Sequence, residues 1–277
     1  METLPFREPK PGIPVVLPAA GLGSRMLPAS GGKPKELLRA GGSTLIGLAV
    51  REALLSGLKD ISLIISPSKE ALRDEAMLVL ARMEKEAGFS ASLKFLYQDP
   101  PLGLGKALAD YCSENPGESF AVLLPDNVWF SGPPPLAQMR DAHLLSGKSL
   151  LGLIRVDGGS APFFENVGLV KTMRIDGRLH RIEKLGGKGK GSLDLGGESS
   201  ILRGFPRLIL NQDFMRYYTA LRPSLEAGKE VDDVPILQEM AAQGRLLGYH
   251  LEGMGYDAGS IRGYRKVLEL FENRDDL

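Results

Sequence analysis

The stretch VVLPAAGLGSRMLPASGGKPKELL, from Val15 to Leu38, decides the fold expected for this 277-residue chain. It begins with aliphatic residues typical of a buried strand and continues into small residues, with Arg25 and Lys35 close behind. Glycines at 21 and 23 let backbone N–H groups approach an anion with no Cβ in the way. An arginine adds a planar fork for two oxygens, and a lysine adds a compact charge. The stretch therefore predicts a strand followed by a phosphate-binding loop.

Two familiar glycine motifs do not fit this loop. The dinucleotide fingerprint requires a third glycine or alanine where this chain has Met26. The P-loop requires Ser or Thr after Gly-Lys, but Pro34 follows Lys33. A nicotinamide oxidoreductase is therefore disfavoured. A tight turn without a ligand remains the alternative interpretation of the two glycines.

Strand and helix patterns alternate through the first half of the chain. This alternation implies right-handed crossovers and a doubly wound, mostly parallel α/β sheet of the Rossmann-like type. Ligands of such sheets bind beyond the carboxyl ends of the strands, where AAGLGSR, YQDPPLGLG and PDN lie. The predicted strands are 13–18, 61–66, 93–97 and 120–126, and the predicted helices are 44–57, 69 to about 86, and 104–112.

Beyond residue 150 the pattern changes to short strands separated by Asp-Gly and Gly-Gly pairs. We expect a small antiparallel β insertion laid over the first sheet, with a flexible, glycine-rich loop at 186–197 that closes over a ligand. Two helical patterns, a strand and a last helix follow. Since no linker marks a boundary, the whole of 1–277 is predicted to be one domain.

Composition excludes several classes of protein. Lys+Arg and Asp+Glu are balanced at 34 each, so no overall field favours nucleic acid or a membrane surface. The single cysteine excludes an internal disulfide framework and a cysteine-based zinc cluster. The N-terminus lacks the apolar core of a signal peptide, and no apolar run approaches the ~20 residues of a membrane span. We expect a soluble cytoplasmic protein.

Six sequence elements, in order, resemble the bacterial sugar-1-phosphate nucleotidylyltransferase family, most closely its UTP–glucose-1-phosphate uridylyltransferase branch. They are GLGSRMLPAS with PKELL, QDPPLGLGKAL (98–108), LLPDN (123–127), NVGLV (166–170), RIEKL (181–185) and YDAG (256–259). The resemblance implies a nucleotide-diphospho-sugar transferase fold, with a nucleotide-binding half at about 13–150 and a sugar-binding half at about 150–277.

The resemblance also implies a reaction. A sugar 1-phosphate would attack the α-phosphorus of UTP (or dTTP), giving a nucleotide-sugar and pyrophosphate with the help of Mg²⁺. UDP-glucose from glucose 1-phosphate is the expected product. A thymidylyltransferase, a uridylyltransferase for another sugar, and a non-catalytic regulatory paralogue that binds nucleotide-sugars are the alternatives. A homodimer or homotetramer is compatible with the resemblance.

The resemblance assigns roles residue by residue. Arg25 and Lys35 would hold the triphosphate, Lys184 would clamp the sugar phosphate, and Asp126 with Asp257 would bind Mg²⁺. The predicted nucleotide-binding residues are Ala20, Gly21, Gly23, Glu36, Gln98 and Gly103, and the predicted sugar-binding residues are Asn127, Gly168, Glu183 and Gly204.

Each assignment has a structural alternative. The aspartates could be turn or capping residues, the Glu–Lys pair an exposed strand pair, and the glycines bulges. Because neighbouring side chains on a strand face opposite ways, Glu183 and Lys184 can serve one ligand only at a strand end or a bulge. The departures from the family pattern fall mostly on the sugar side, at Leu185, Ser199 and Asp232.

Overall fold

The computed structural model describes residues 12–88, 90–117, 119–165, 168–187, 191–222 and 230–273. The strands are β1 (Val15–Pro18), β2 (Arg39–Ala40), β3 (Ser43–Thr44), β4 (Asp60–Ile65), β5 (Ser92–Tyr97), β6 (Phe120–Leu123), β7 (Asn127–Ser131), β8 (Ser149–Asp157), β9 (Val170–Asp176), β10 (Leu179–Leu185), β11 (Ser200–Leu210), β12 (Leu246–His250) and β13 (Met254–Asp257). The helices are α1 (Leu27–Ser30), α2 (Leu45–Leu55), α3 (Glu70–Ala87), α4 (Leu104–Glu114), α5 (Pro135–Ser146), α6 (Asp213–Leu221), α7 (Val234–Ala242) and α8 (Ile261–Glu272).

A nine-stranded sheet in the order β5-β4-β1-β6-β11-β8-β12-β10-β9 forms the centre of the described structure. Seven of its strands run in one direction, and β10 and β11 run against them. The predicted strands of the first half pair in parallel around β1, which lies between β4 and β6. The predicted α/β fold with a mostly parallel sheet is therefore confirmed.

The sheet is covered on both faces, which explains its continuous aliphatic strands. Along β1, Val15 and Leu17 belong to one hydrophobic cluster, and Val16 belongs to the cluster on the other face. Helix α2 begins where predicted, because the Thr44 side chain accepts a hydrogen bond from Gly47 N at 3.1 Å.

The predicted placement of the second-half strands is wrong. They do not lie over the first sheet; β8, β9, β10 and β11 extend it edge to edge. The joint is β11, which pairs antiparallel with β6 through Leu208–Leu210 and with β8 along most of its length. Its aliphatic residues at the joint are buried, so pairing inside the sheet removes their apolar surface from water.

Two features were not predicted from the sequence. Helix α5 begins with a proline, which is favourable in a first helical turn, and it buries Leu136 and Met139. A two-stranded ribbon pairs β7 with β13 and sets Asp257 opposite Asn127. The ribbon therefore brings together two segments that lie far apart in the sequence. Among the described residues, no helix combines the length and the apolar character needed to span a membrane.

Candidate active site

The glycine loop lies at the carboxyl end of β1, as predicted. Gly23 has φ 64°, and a Cβ there would lie 3.3 Å from Lys35 Cδ, so the lysine stem packs against bare backbone. Gly21 differs, because a Cβ built on it would meet nothing within 4 Å. The space beside Gly21 is open to a ligand, whereas Gly23 is required by the turn itself.

A buried lysine that the sequence did not reveal supports this loop from below. Lys69 Nζ donates hydrogen bonds to Ala19 O at 2.8 Å and Gly21 O at 2.6 Å, and it lies 3.1 Å from Glu36 Oε2. Burial raises the pKa of Glu36, although Lys69 and Lys35 oppose the rise. In this structure the Glu36 carboxylate, predicted to bind nucleotide, binds the lysine that holds the loop.

Two adjacent cavities open at this edge of the sheet. We call them the β1 cavity, which adjoins the glycine loop, and the β11 cavity, which adjoins Arg203 and Gly204. Of the residues predicted to bind nucleotide or triphosphate, those lining the β1 cavity are Ala20, Gly21, Arg25, Lys35, Glu36, Gln98 and Gly103. Arg25 and Asp126 line both cavities. The two cavities therefore meet at Asp126, where two substrates could be brought into contact.

Gln98 and Gly103, both predicted to bind nucleotide, come together in the β1 cavity. The contacts that fix them are within the protein. Gln98 Nε2 donates to Gly103 O at 3.3 Å. Gly103 has φ 91°, and a Cβ there would lie 2.6 Å from Val231 O. The close approach of the Val231 backbone therefore requires this glycine, independently of any base lying against it.

The two predicted metal ligands lie side by side. A Cβ built on Gly259 would be 2.8 Å from Asp126 Oδ2 and 2.9 Å from Asp257 Oδ1. Both carboxylates therefore border one point, which this glycine keeps free of side-chain atoms. The β7–β13 ribbon produces the arrangement, and the Gly259 N–H fixes Asp257 by donating to its Oδ1 at 2.8 Å.

Each of these carboxylates also faces a cation. Lys35 Nζ contacts Asp126 Oδ2, and Arg203 Nη2 lies 3.8 Å from Asp257 Oδ2. Burial acts to raise the pKa of Asp126, but Lys35 outweighs it and the pKa is lowered. Burial and the charge of Asp126 together raise the pKa of Asp257, with Arg203 opposing them. Burial acts to lower the pKa of Lys35, but the charges of Asp126 and Glu36 outweigh burial, and the pKa is raised.

The arrangement fits a hard divalent cation. Asn127 Nδ2 donates to Asp126 Oδ1 at 2.9 Å, while the buried Asn127 Oδ1 has no hydrogen-bond partner among the described residues. Within the described part of the chain, no group of three or more His, Cys, Asp or Glu side chains forms a metal site. Two carboxylates nevertheless suit Mg²⁺, which completes its shell with waters and substrate phosphates.

A second buried ion pair fixes the backbone that carries Asp126. Arg207 is fully buried and donates to both carboxylate oxygens of Glu52 at 2.6 Å. The same guanidinium donates to Asn127 O at 2.7 Å and Leu124 O at 3.3 Å. Since these carbonyls flank Asp126, the pair holds the loop between β6 and β7 in place. Sequence reasoning missed both residues, because neither belongs to a recognisable motif.

Arg25 is exposed, unlike the other cations of the site. Its side chain retains 65% of its accessible surface and contacts Glu165, a residue that sequence reasoning also missed. Because Arg25 lines both cavities, it can reach a ligand in either once Glu165 releases it.

The β11 cavity has a different lining. Gly168 and Gly204 lie together, as predicted, with Gly204 N donating to Gly168 O at 2.7 Å. Asn127 and Asp257 lie at the end shared with Asp126. Much of the rest is aliphatic: Leu151, Leu169, Val170, Leu185, Leu208, Val234 and Leu237.

Two predicted residues are not brought to this cavity. Glu183 and Lys184 are exposed, and neither is among the residues that line it. The expected bulge is present, since the register of β10 against β9 shifts between Ile182 and Lys184. However, Glu183 lies 3.4 Å from Lys171 Nζ, and its neighbour Leu185 lines the cavity instead. This arrangement matches the structural alternative given above for Glu183 and Lys184, an exposed pair of charges on a strand.

The glycine-rich segment 186–197 is only partly described, because 188–190 lie outside the described residues. Gly186 and Gly187 line the β11 cavity. Further along, Leu193 is buried, and its N–H donates to Phe164 O at 3.0 Å. The later part of the segment is thus anchored next to Glu165. Its predicted closure over a ligand stays a prediction.

Comparison with known proteins agrees with this geometry. The model of the family described as nucleotidyl transferase matches residues 13–167, more than half of the chain. The chain belongs to the nucleotidyl transferase family. The resemblance carried by the six sequence elements is therefore confirmed.

Individual relatives of this nucleotidyl transferase cover nearly the whole chain. It is 27% identical over 276 residues to UTP–glucose-1-phosphate uridylyltransferase of Bacillus subtilis, covering 94% of this chain and 91% of that protein. A UDP-glucose pyrophosphorylase solved with UDP-glucose superposes with a TM-score of 0.78 at 23% identity, covering 94% and 98% of the two chains. A structure described as a putative glucose-1-phosphate thymidylyltransferase from Bacillus anthracis superposes at 0.73 with 20% identity, covering 96% and 98%. The two structural matches establish the shared fold.

Proposed function

We propose that this nucleotidyl transferase is a Mg²⁺-dependent sugar-1-phosphate uridylyltransferase that converts UTP and glucose 1-phosphate to UDP-glucose and pyrophosphate. One observation carries the proposal: the β1 and β11 cavities meet at Asp126, and Asp257 and Lys35 adjoin the same carboxylate. Two anionic substrates entering from the two sides would bring their phosphates together at that point. The name of the Bacillus subtilis relative supports the choice of UTP and glucose 1-phosphate.

In the proposed reaction, an oxygen of the sugar phosphate attacks the α-phosphorus of UTP. The new P–O bond forms as the bond to the β-phosphate oxygen breaks, and pyrophosphate leaves. Such transfers depend mainly on positioning and charge neutralisation. When bound by Asp126 and Asp257, Mg²⁺ would neutralise and orient the reacting phosphates. Lys35 and Arg25 would leave their carboxylate partners and hold the triphosphate, stabilising the charge that passes to pyrophosphate.

The β1 cavity would hold the nucleotide. The open space at Gly21 lets phosphate oxygens reach backbone N–H groups. Gln98 lies beside Gly103 in the lining of the cavity, and its amide can both donate to and accept from a pyrimidine edge. The pair Lys69–Glu36 would keep the loop in this conformation before the nucleotide arrives.

The test is pyrophosphate release by the purified chain with Mg²⁺. UTP, dTTP and ATP are each paired with glucose 1-phosphate, galactose 1-phosphate and N-acetylglucosamine 1-phosphate, and the Asp126→Asn variant is the matched control. We expect the fastest release with UTP and glucose 1-phosphate, and loss of at least about 99% of it in the control. Binding of UTP without pyrophosphate release from any pair would contradict the proposal and favour a regulatory nucleotide-binding protein.

A further inference from the structure

Arg25 borders a third cavity, which we call the α8 cavity because it lies beside the start of helix α8. The side chains that line it include Arg25, Phe163, Phe164, Glu165, Ser192 and Arg262. Within the described part of the chain, Arg25 lines the β1, β11 and α8 cavities, whereas Glu165 lines the α8 cavity alone. The Arg25–Glu165 ion pair therefore attaches the guanidinium to a carboxylate outside the two cavities proposed for the substrates.

The two partners of this pair differ in their freedom to move. Glu165 follows Phe164, which is 3% exposed and stacks on the Tyr256 ring at a centroid distance of 5.6 Å. The Glu165 backbone also forms an antiparallel bridge with Ser192. Arg25, in contrast, has a long side chain of which 65% is exposed. When the pair opens, the Arg25 side chain can therefore move while Glu165 stays in place.

A carboxylate and a phosphate compete for the same donors of an arginine. The guanidinium is a planar fork that donates to two oxygens of either anion. Because the Glu165 side chain is also in contact with water, with 30% of its surface exposed, its pair with Arg25 is of the weak, surface kind. A triphosphate carries more charge than a carboxylate and can replace it. In this structure Glu165 therefore takes a contact that a substrate phosphate could make.

We propose that Glu165 is a positioning residue for the transfer: it holds Arg25 outside the β1 cavity until a triphosphate displaces it, and it takes Arg25 back as pyrophosphate leaves. This inference rests on the proposed function. Because the pair must open before Arg25 can bind phosphate, the measured affinity for nucleotide is the intrinsic affinity reduced by the fraction of protein in which Arg25 is available. The same competition weakens the binding of pyrophosphate and so favours its release.

Charge removal at Glu165 tests this competition. Glu165→Gln keeps the shape of the side chain without its charge, and Glu165→Asp keeps the charge on a shorter side chain. Glu252→Gln is the matched control, because Glu252 also pairs with an arginine, Arg178, at the surface. Each protein is titrated calorimetrically, with Mg²⁺, using pyrophosphate or α,β-methylene-UTP, which cannot release pyrophosphate.

We expect Glu165→Gln to lower both dissociation constants by about twofold to fivefold, the range that an exposed ion pair allows. Glu165→Asp should lie between this variant and the parent protein, and Glu252→Gln should stay within about 1.5-fold of the parent. In turnover, Glu165→Gln should lower the KM for UTP by the same factor and make pyrophosphate a correspondingly stronger inhibitor. Because both partners are exposed, its melting temperature should stay within about 2 °C of the parent protein.

A second substitution shows whether Glu165 acts through Arg25. In an Arg25→Met background, Glu165→Gln should change the two dissociation constants by less than about 1.5-fold, because the arginine for which the carboxylate competes is gone. A carboxylate that only repels phosphates would give the same gain with and without Arg25. If Arg25→Met binds too weakly for calorimetry, thermal protection at high nucleotide concentration makes the same comparison.

Unchanged or weaker binding of nucleotide and pyrophosphate by Glu165→Gln, or a gain that persists in the Arg25→Met background, would overturn the inference. Should the parent protein release no pyrophosphate from any substrate pair, the proposed function fails, and the two titrations still decide the role of Glu165. If the parent protein binds neither α,β-methylene-UTP nor pyrophosphate, the inference fails as well.

Discussion

The β1 and β11 cavities are neighbours, but their linings differ. The β1 cavity contains carboxylates, lysine and the glutamine amide, supported by the buried Lys69. Away from Asp232 and Asp233, which line both cavities, and from the junction at Asp126, the β11 cavity is formed mainly by glycines and aliphatic side chains, with Arg203 among them. Under the proposed function, the charged groups at the strand ends would carry the phosphate chemistry. The second substrate would then be recognised largely by backbone atoms and apolar surface.

The cationic side chains that line the β1 cavity, and two of its carboxylates, each have an ion-pair partner, either in the cavity or next to it. Lys35 contacts Asp126, Lys69 pairs with Glu36, and Arg25 contacts Glu165. Under the proposed function, the pairs of Lys35 and Arg25 open when substrates bind, whereas the Lys69–Glu36 pair stays closed as part of the scaffold. Four predictions test this division between the cavities.

The largest effect is expected at the junction of the two cavities. Asp126→Asn and Asp257→Asn should each lower turnover about a hundredfold or more, because each removes a ligand of the ion that neutralises the reacting phosphates. The double variant should lose far less than the product of the two, since its second change removes a ligand from an ion already lost. Pyrophosphate release by all three variants measures this. Near-normal turnover of Asp257→Asn would reduce that residue to a turn or capping role.

The second prediction concerns the scaffold of the β1 cavity. Lys69→Met leaves the buried Glu36 without its cation and two backbone carbonyls without a donor, so the free energy of unfolding should fall by about 3 kcal/mol. At about 2–4 °C for each kcal/mol, the melting temperature should drop by roughly 10 °C. Adding Glu36→Gln to this variant should restore part of the loss. If Lys69→Met melts like the parent protein, the loop does not depend on this lysine.

The third prediction tests the base. With Mg²⁺, UTP at a hundred times its Kd should stabilise the protein by about 2.7 kcal/mol, and ATP at the same concentration should stabilise it much less. The difference is expected because, in the proposed function, the Gln98 amide of the β1 cavity hydrogen-bonds a pyrimidine edge. Thermal melting measures both values. If the two nucleotides protect equally, the pyrimidine assignment is wrong, but the proposal of a phosphate site is unaffected.

The smallest effect is expected in the β11 cavity. Its aliphatic side chains offer no hydrogen bond, so removing a sugar hydroxyl that faces them, rather than Asp232 or Asp233, should cost little. We predict that 6-deoxyglucose 1-phosphate is used with a kcat/KM within about fivefold of that for glucose 1-phosphate. Loss of a well-bonded hydroxyl would instead leave a buried group unpaired, at a cost of about 1–3 kcal/mol. A hundredfold drop in kcat/KM would show that a polar group of the protein forms a hydrogen bond with the 6-hydroxyl.

The parallel half of the sheet could be predicted because its strands are short, aliphatic and separated by helices. The glycine loop, Gln98 and the two aspartates followed from motifs at strand ends. The β11 cavity could not be predicted in the same way. Neither Arg203 nor the Lys69 support belongs to a motif, and a buried cation becomes recognisable only when its partners are known. The adjacency of Glu183 and Lys184 was misleading, since β10 continues past them and leaves both exposed.

Label transfer from UTP carrying ³²P at its α-phosphate tests the central claim most directly. With Mg²⁺ and glucose 1-phosphate, the label should appear in UDP-glucose, while the released pyrophosphate carries none. Without a sugar phosphate, the label should stay in UTP. Release of labelled UMP in the absence of a sugar phosphate, or labelled UTP left intact with every sugar phosphate tried, would contradict the account of two cavities that meet for one transfer.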